Sequence, residues 1–214
     1  MIYSLSLVIC LYLIIPVQTC SADEPKKSSD EYALKAVCLY NFTQFTRWPG
    51  AKDLDKSDSI IVGIVGSTHL NAALEGLQTW IKKTNKKKIT LVYHGTYHEG
   101  MDLRGNHLLF ISTSEKKHME SILAGLGDAP VLTVSDTNGF LEAGGMISLV
   151  ILNNKVRWGI NQTAIKRSGL HVSAKLLQLA IRIESQQEQS DLLQYEHIRE
   201  IPWPSLQEAL ASLP

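Results

Sequence analysis

Small polar residues follow three short apolar runs of the sequence, and side chains of this kind can hold a ligand. Each run predicts a buried strand, because nearly all of its residues are apolar. In an open parallel sheet, ligands bind beyond the carboxyl ends of the strands. The sequence therefore predicts a candidate ligand crevice formed by Gly66, Ser67, Thr68, Ser112, Ser135 and Asp136. The same residues would serve equally well as ordinary helix caps, so both interpretations stay open.

Two histidines and an acidic residue have a spacing that occurs in metal sites. His94 and His98 are four residues apart, with Glu99 adjacent, and on a helix both imidazoles would face one ion. Gly95 and Gly100 interrupt this stretch at the end of a predicted strand, which favours loop histidines. We therefore predict neither a metal nor a cofactor.

The common hydrolase motifs are missing from the sequence. It contains no G-x-S-x-G, H-E-x-x-H or C-x-x-C pattern. Asp136 and Glu142 are the nearest approach to paired carboxylates, but nothing beside them identifies an acid, a base or a nucleophile. We predict that the protein is not an enzyme and has no catalytic residues.

The elements that would position these residues alternate between strands and helices. Strands are predicted at Ser59–Val65, Lys88–Tyr93, His107–Ile111 and Pro130–Val134, with helices between them. A hairpin over Met146–Asn161 follows. This order predicts an α/β fold: a single three-layer domain with a mostly parallel sheet, an antiparallel edge hairpin and helices on both faces.

The hairpin allows a register to be predicted, because Asn153 and Asn154 suit a two-residue loop. That loop sets Leu149 opposite Trp158, and it places the most apolar side chains of both strands on one face. A helix that begins after Ser173 and continues to Ile183 would cover that face.

A first helix is predicted from Ser29 or Asp30 to about Thr46, ending before Trp48-Pro49. Its Leu34, Val37 and Cys38 share one face with two phenylalanines, which is typical of a core helix.

The termini predict an exported protein. Residues 1–22 resemble a secretory signal peptide cleaved after Ala22, with a membrane anchor and lipoprotein processing at Cys20 as alternatives. Residues 23–29 form a polar leader, 30–183 the α/β domain and 184–214 a partly helical tail. Cys38 would be the only cysteine after cleavage, so no disulfide is predicted. Lys plus Arg and Asp plus Glu balance at 21 each, which gives no electrostatic case for nucleic acid.

Several stretches resemble the YfiR-like family in the expected order, over roughly Glu31 to Ile183. They are Tyr32–Phe42 with Phe45 and Trp48-Pro49, Pro130–Val134, Gly144–Ile147, Val156-Arg157 with Ile160-Asn161, Gly169-Leu170, Ser173, Lys175–Leu177 and Leu179-Ala180. The resemblance implies a compact, dimeric α/β protein of the periplasm. It also implies that the protein binds the periplasmic region of a membrane sensor, a diguanylate cyclase or a histidine kinase, and that an outer-membrane lipoprotein sequesters it.

Function by contact requires a surface, and we predict one at Tyr40, Arg47, Trp48 and Arg157. The family's disulfides have no counterpart here, so control by oxidation is not expected. The alternative is a small-ligand-binding or transport accessory protein of the periplasm that uses the predicted crevice. An unrecognised hydrolase is the third option.

Overall fold

The computed structural model describes residues 29–49, 59–83, 88–153 and 155–181. The helices of this part of the chain are α1 (Ser29–Gln44), α2 (Leu70–Lys82), α3 (Met119–Leu126), α4 (Gln162–Arg167) and α5 (Ala174–Leu179). A 3₁₀ helix over Thr113–His118 leads into α3. The strands are β1 (Thr46–Arg47), β2 (Ser59–Val65), β3 (Lys88–Gly95), β4 (Leu108–Ile111), β5 (Leu132–Ser135), β6 (Ile147–Leu152), β7 (Lys155–Ile160) and β8 (His171–Val172).

Six of these strands form one sheet, in the order β3-β2-β4-β5-β6-β7. The first five run parallel to their neighbours, and β7 pairs antiparallel with β6 at the edge. The predicted fold class is confirmed by this arrangement. The remaining strands, β1 and β8, form a separate antiparallel ribbon. None of the described helices is long and apolar enough to cross a membrane.

Side chains from the two faces of the sheet belong to two separate apolar clusters. One cluster joins α1 and α2 to alternate residues of the strands, such as Val62, Phe110 and Leu149. The other joins α3 to the opposite face through Val65 and Ile111. Two apolar layers, one on each side of a sheet, give the predicted three-layer domain.

The hairpin has the predicted register. Leu149 lies opposite Trp158 and Ile151 opposite Val156, and the first two are 2% and 3% exposed. Asn153 has a φ of 49°, the left-handed conformation that asparagine tolerates and a tight hairpin loop requires. Asn154 lies outside the described residues.

The cover over the hairpin differs from the prediction. Ser173 caps α5 as expected, because its side chain accepts a hydrogen bond from the N–H of Leu176. The helix nevertheless ends at Leu179, and Ala180 is extended. The N–H of Ile181 donates to the carbonyl of Trp158 instead, at 2.9 Å. The expected continuation to Ile183 is therefore wrong, because the backbone turns to bond with β7.

Helix α1 supplies the rest of the cover. The Phe42 and Trp158 rings meet edge to face at 5.5 Å. The helix is shorter than predicted, since it ends at Gln44 and Thr46 already belongs to β1. The predicted signal peptide, most of the polar leader and the tail lie outside the described residues and stay predictions.

Candidate functional site

The loops after β2 and β4 meet at the carboxyl edge of the sheet and hydrogen-bond to each other. The Ser112 hydroxyl donates to the carbonyl of Ser67 at 2.5 Å, and the Ser67 N–H donates to the Ser114 hydroxyl at 2.9 Å. Thr68 accepts from the N–H of Leu70, which is a local turn contact just before α2. The polar groups of this part of the predicted crevice therefore bond within the protein.

Gly66 shows how closely the two loops approach. A Cβ built at this residue would lie 2.5 Å from the Ser114 hydroxyl oxygen and 2.7 Å from Cγ of Glu115. The backbone also has a φ of 89°, which side-chain-bearing residues rarely adopt. The predicted crevice residues thus come together, but at the β2–β4 boundary they fill the space in which a ligand would sit.

A buried lysine occupies the neighbouring part of this edge, beyond β5. The side chain of Lys35 is 2% exposed, and its Nζ lies 2.7 Å from Asp136 Oδ2 and 2.9 Å from Glu31 Oε1. The Thr113 hydroxyl donates to the other oxygen of Asp136 at 3.0 Å. Ser135, another residue of the predicted crevice, donates its hydroxyl hydrogen bond to the carbonyl of Ile111. Asp136 therefore joins α1 to the end of β5 through a charged pair.

The electrostatics of this pair keep the lysine charged. Burial lowers the pKa of Lys35, but the Asp136 and Glu31 carboxylates favour the ammonium form, and together they hold the pKa above its ordinary value. The Nζ atom also lies 5.8 Å from the centre of the Tyr32 ring, within reach of a cation–π interaction. An ammonium that keeps its proton cannot act as a base or nucleophile at neutral pH. The role of Lys35 is therefore structural: its contact with Asp136 ties α1 to the end of β5.

The two histidines whose spacing occurs in metal sites contact different partners. His94 Nε2 lies 3.2 Å from Asn106 Oδ1, and His98 Nδ1 lies 3.1 Å from the carbonyl of Glu99. Within the described ranges, no three acidic, histidine or cysteine side chains are placed to share a metal ion.

Cys38 is fully buried on α1 and is a free thiol. Burial raises the pKa of this thiol to about 12, although the nearby Lys35 ammonium opposes the shift. A thiol that stays protonated is a poor nucleophile, so Cys38 acts as a small core residue.

Replacing Cys38 with alanine should reduce the loss of stability at alkaline pH. The unfolded thiol ionises near its ordinary pKa of 9.0, whereas the folded thiol keeps its proton to about pH 12. The unfolded state thus loses its proton first, and the linkage removes up to about 4 kcal/mol as the pH rises across that window. Urea unfolding of both proteins at about pH 8 and about pH 11 measures the difference. Equal pH-dependent losses in the two proteins would contradict the assignment.

Half of the predicted partner surface is buried. Tyr40 is 1% and Trp48 6% exposed, and the Trp48 Nε1–H donates to the carbonyl of His107 at 3.1 Å. Both rings therefore belong to the core, and their place in the predicted surface is wrong. Arg47 is exposed and Arg157 half-buried, so these two stay available for contact.

The exposed large apolar side chains of the described residues lie near opposite edges of the sheet. Ile151, beside the hairpin loop, is 39% exposed, and Tyr93, on the other edge strand, is 44% exposed. The alternation of the hairpin could have indicated Ile151, because it lies next to the loop where the cover ends. Lys35 could have been noticed as the one charge within the apolar stretch from Ala33 to Leu39.

The sequence model of the YfiR/HmsC-like family matches residues 32–181. The chain belongs to the YfiR/HmsC-like family, which confirms the resemblance seen in its sequence. The family suggests a regulatory role in the periplasm.

A solved structure adds a more distant likeness. The chain is similar to a conserved domain protein from Vibrio cholerae O1 biovar El Tor, with a TM-score of 0.39 and 15% identity. The match covers 62% of this chain and 59% of that one, so the chain spans less than two thirds of that protein. A search among curated proteins gives no match.

Proposed function

We propose that the protein is a periplasmic regulator that restrains a membrane-bound diguanylate cyclase, or a related sensor such as a histidine kinase, by protein–protein contact. The observation that carries the proposal is the family match over residues 32–181, which includes every strand of the central sheet. At the ends of β2 and β4, where an α/β enzyme would place its site, Gly66, Ser67, Ser112 and Ser114 contact one another and form a closed polar edge.

Regulation by contact requires different affinities for the two states of the sensor. A regulator that bound active and inactive sensor equally well would shift nothing, however tightly it bound. The protein would therefore hold the inactive state through a surface that the active state does not match.

The best candidate for that surface is the outer end of the hairpin, which we call the hairpin tip: Val150, Ile151, Leu152, Lys155 and Arg157. All five side chains are at least partly exposed. Ile151 lies on the face of the hairpin that Leu149 and Trp158 share, and the other four side chains lie on the opposite face. A partner would therefore enclose the end of the hairpin, with Ile151 as its main apolar contact on one side and the two cations on the other. A partner with an apolar patch beside acidic residues would complement this surface.

Replacing Ile151 with glutamate should abolish restraint of the sensor. A carboxylate at the centre of an apolar contact would lie desolvated and unpaired, which weakens binding by at least about tenfold. The measurement is cellular cyclic-di-GMP in a deletion strain that carries the wild-type protein or a variant. We expect the deletion to raise cyclic-di-GMP, and the wild-type protein, but not Ile151→Glu, to reverse the rise.

Tyr93→Glu is the matched control, because it places the same charge on an exposed large side chain at the other edge of the sheet. It also removes the hydrogen bond from the Tyr93 hydroxyl to Glu75, so its thermal transition is checked first. This variant should restore normal cyclic-di-GMP. Capture of a membrane sensor from solubilised membranes by the mature protein, and not by Ile151→Glu, would support the same conclusion. An unchanged cyclic-di-GMP level on deletion, with no sensor captured, would overturn the proposal.

Three further parts of the proposal concern assembly and location. They are a homodimer, an outer-membrane lipoprotein that sequesters the regulator, and export with cleavage after Ala22. Light scattering of the purified mature protein tests the first, and capture from outer membranes tests the second. Amino-terminal sequencing of the protein from a periplasmic extract tests the third.

A further inference from the structure

A cleft of about 370 Å³ lies between α3 and the segment that leads into β6, away from the closed polar edge. Its walls come from α3, the loop before β5 together with β5 itself, the residues before β6 and the end of α4. The volume lies within the range of small-molecule sites, which is about 300–1,000 Å³. At about 30 Å³ per water-sized group, the cleft has room for roughly a dozen non-hydrogen atoms.

The floor of the cleft is apolar and well packed. Leu126, Val131 and Met146 line it and are at least 95% buried by the side chains around them. Half-buried Leu123 and Ala143 continue this surface towards the mouth. A ligand would therefore place an apolar body here, since burying apolar surface is the main source of affinity in such a site.

One polar side chain interrupts the floor. Thr133 is 2% exposed, and its hydroxyl accepts a hydrogen bond from the N–H of Met146 at 3.1 Å. A hydroxyl has one donor and two acceptor positions, so Thr133 can still bond to a polar atom of a ligand. This contact would orient a ligand that carries such an atom.

Charges gather at the mouth. Two carboxylates, those of Glu120 and Asp128, line the cleft together with one guanidinium, that of Arg167. Arg167 Nε lies 2.7 Å from Asp128 Oδ1, which uses the guanidinium to neutralise one carboxylate. Glu120 has no ion-pair partner among the described residues. The mouth therefore keeps one uncompensated negative charge.

We propose that this cleft binds a small organic ligand with a protonated amine on an apolar body. The amine pairs with the Glu120 carboxylate at the mouth, and the body lies on Leu126, Val131 and Met146. A carboxylate ligand of the same shape binds more weakly, because two carboxylates and only one guanidinium line the mouth. This binding does not depend on the proposed regulation of a membrane sensor.

Calorimetric titration of the mature protein with 4-phenylbutylamine tests the proposal, because this amine suits a cleft of that volume. The matched probes are 4-phenylbutyrate and 4-phenylbutanol, which replace the ammonium with a carboxylate or a neutral hydroxyl. We expect the amine to bind about threefold to fivefold more tightly than either, because Glu120 is exposed and an exposed ion pair contributes at most about 1 kcal/mol. Failure of the amine to bind, or equal binding of amine and carboxylate, would overturn the proposal.

Substitutions at and near the cleft test where the amine binds. Glu120→Gln should weaken amine binding about threefold to fivefold, whereas Glu142→Gln should leave it unchanged, because Glu142 is also exposed but does not line the cleft. Ala143→Trp should abolish binding by filling the mouth, with its thermal transition checked to show that it folds. Equal affinity in Glu120→Gln and Glu142→Gln, or tight binding by folded Ala143→Trp, would place the amine elsewhere and refute the site.

Discussion

Replacing Lys35 with methionine is expected to lower the free energy of unfolding by about 3–5 kcal/mol. Methionine fills most of the same volume but leaves the Asp136 carboxylate beside an apolar side chain, without the ammonium now 2.7 Å away. Asp136 is only 12% exposed, so water can replace the ammonium only in part. Urea unfolding at neutral pH measures the loss.

Two other variants separate the charge from the packing. Lys35→Arg keeps a positive charge and should cost less than Lys35→Met. Glu31→Gln removes the second carboxylate, which is 16% exposed, and should cost less than Lys35→Met because Lys35 keeps its shorter contact with Asp136. A similar loss in Glu31→Gln and Lys35→Met would show that Asp136 does not hold the lysine.

Replacing Trp158 with alanine is the second change with a large expected effect, a loss of about 3–5 kcal/mol. The side chain is 3% exposed and contacts the edge of the Phe42 ring, so alanine would leave a cavity between α1 and the hairpin. Since whole domains are stable by about 5–15 kcal/mol, this loss would bring the protein close to unfolding at room temperature. Thermal and urea unfolding both measure it.

Trp158→Phe is the control for this prediction. Phenylalanine keeps an aromatic ring against Phe42 but removes the hydrogen bond from Nε1 to the carbonyl of Leu176, which is long at 3.4 Å. We expect a cost of about 1–2 kcal/mol, since a weak hydrogen bond and a small volume are lost. Equal losses in the two variants would mean that the hydrogen bond to α5, rather than the packing against α1, supplies most of the stabilisation from Trp158.

The hairpin shows which part of the fold is predictable from sequence. Two short-range rules decide its register: strand side chains alternate between faces, and adjacent asparagines suit a two-residue turn. Both rules act within a few residues, so Leu149 can be paired with Trp158 on paper. The order of strands and helices is predictable for the same reason.

The site depends on contacts that no local rule encodes. Lys35 and Asp136 are 101 positions apart, and neither residue type indicates the other. The prediction that Tyr40 and Trp48 belong to a partner surface is wrong for a related reason. Local periodicity shows that α1 has an apolar face, but not that neighbouring elements also enclose its other sides, so that all residues from Lys35 to Tyr40 are buried.

The predicted crevice is filled at the β2–β4 boundary because the distances that decide this are too small to predict from sequence. Sequence predicts that small polar residues gather at the carboxyl edge, and they do. Whether two loops leave a gap or touch depends on a few ångströms, as between Gly66 and Ser114. The cleft beside α3 was missed because its floor consists of ordinary core residues, which have no distinctive spacing.

The ribbon of β1 and β8 also constrains the order of folding. It pairs Thr46 with Val172, and closing a loop of roughly 125 residues costs about 4 kcal/mol of chain entropy. Two residue pairs cannot offset that cost by themselves. We therefore expect the ribbon to form late, after the sheet has brought both ends together, and to open early when the protein unfolds.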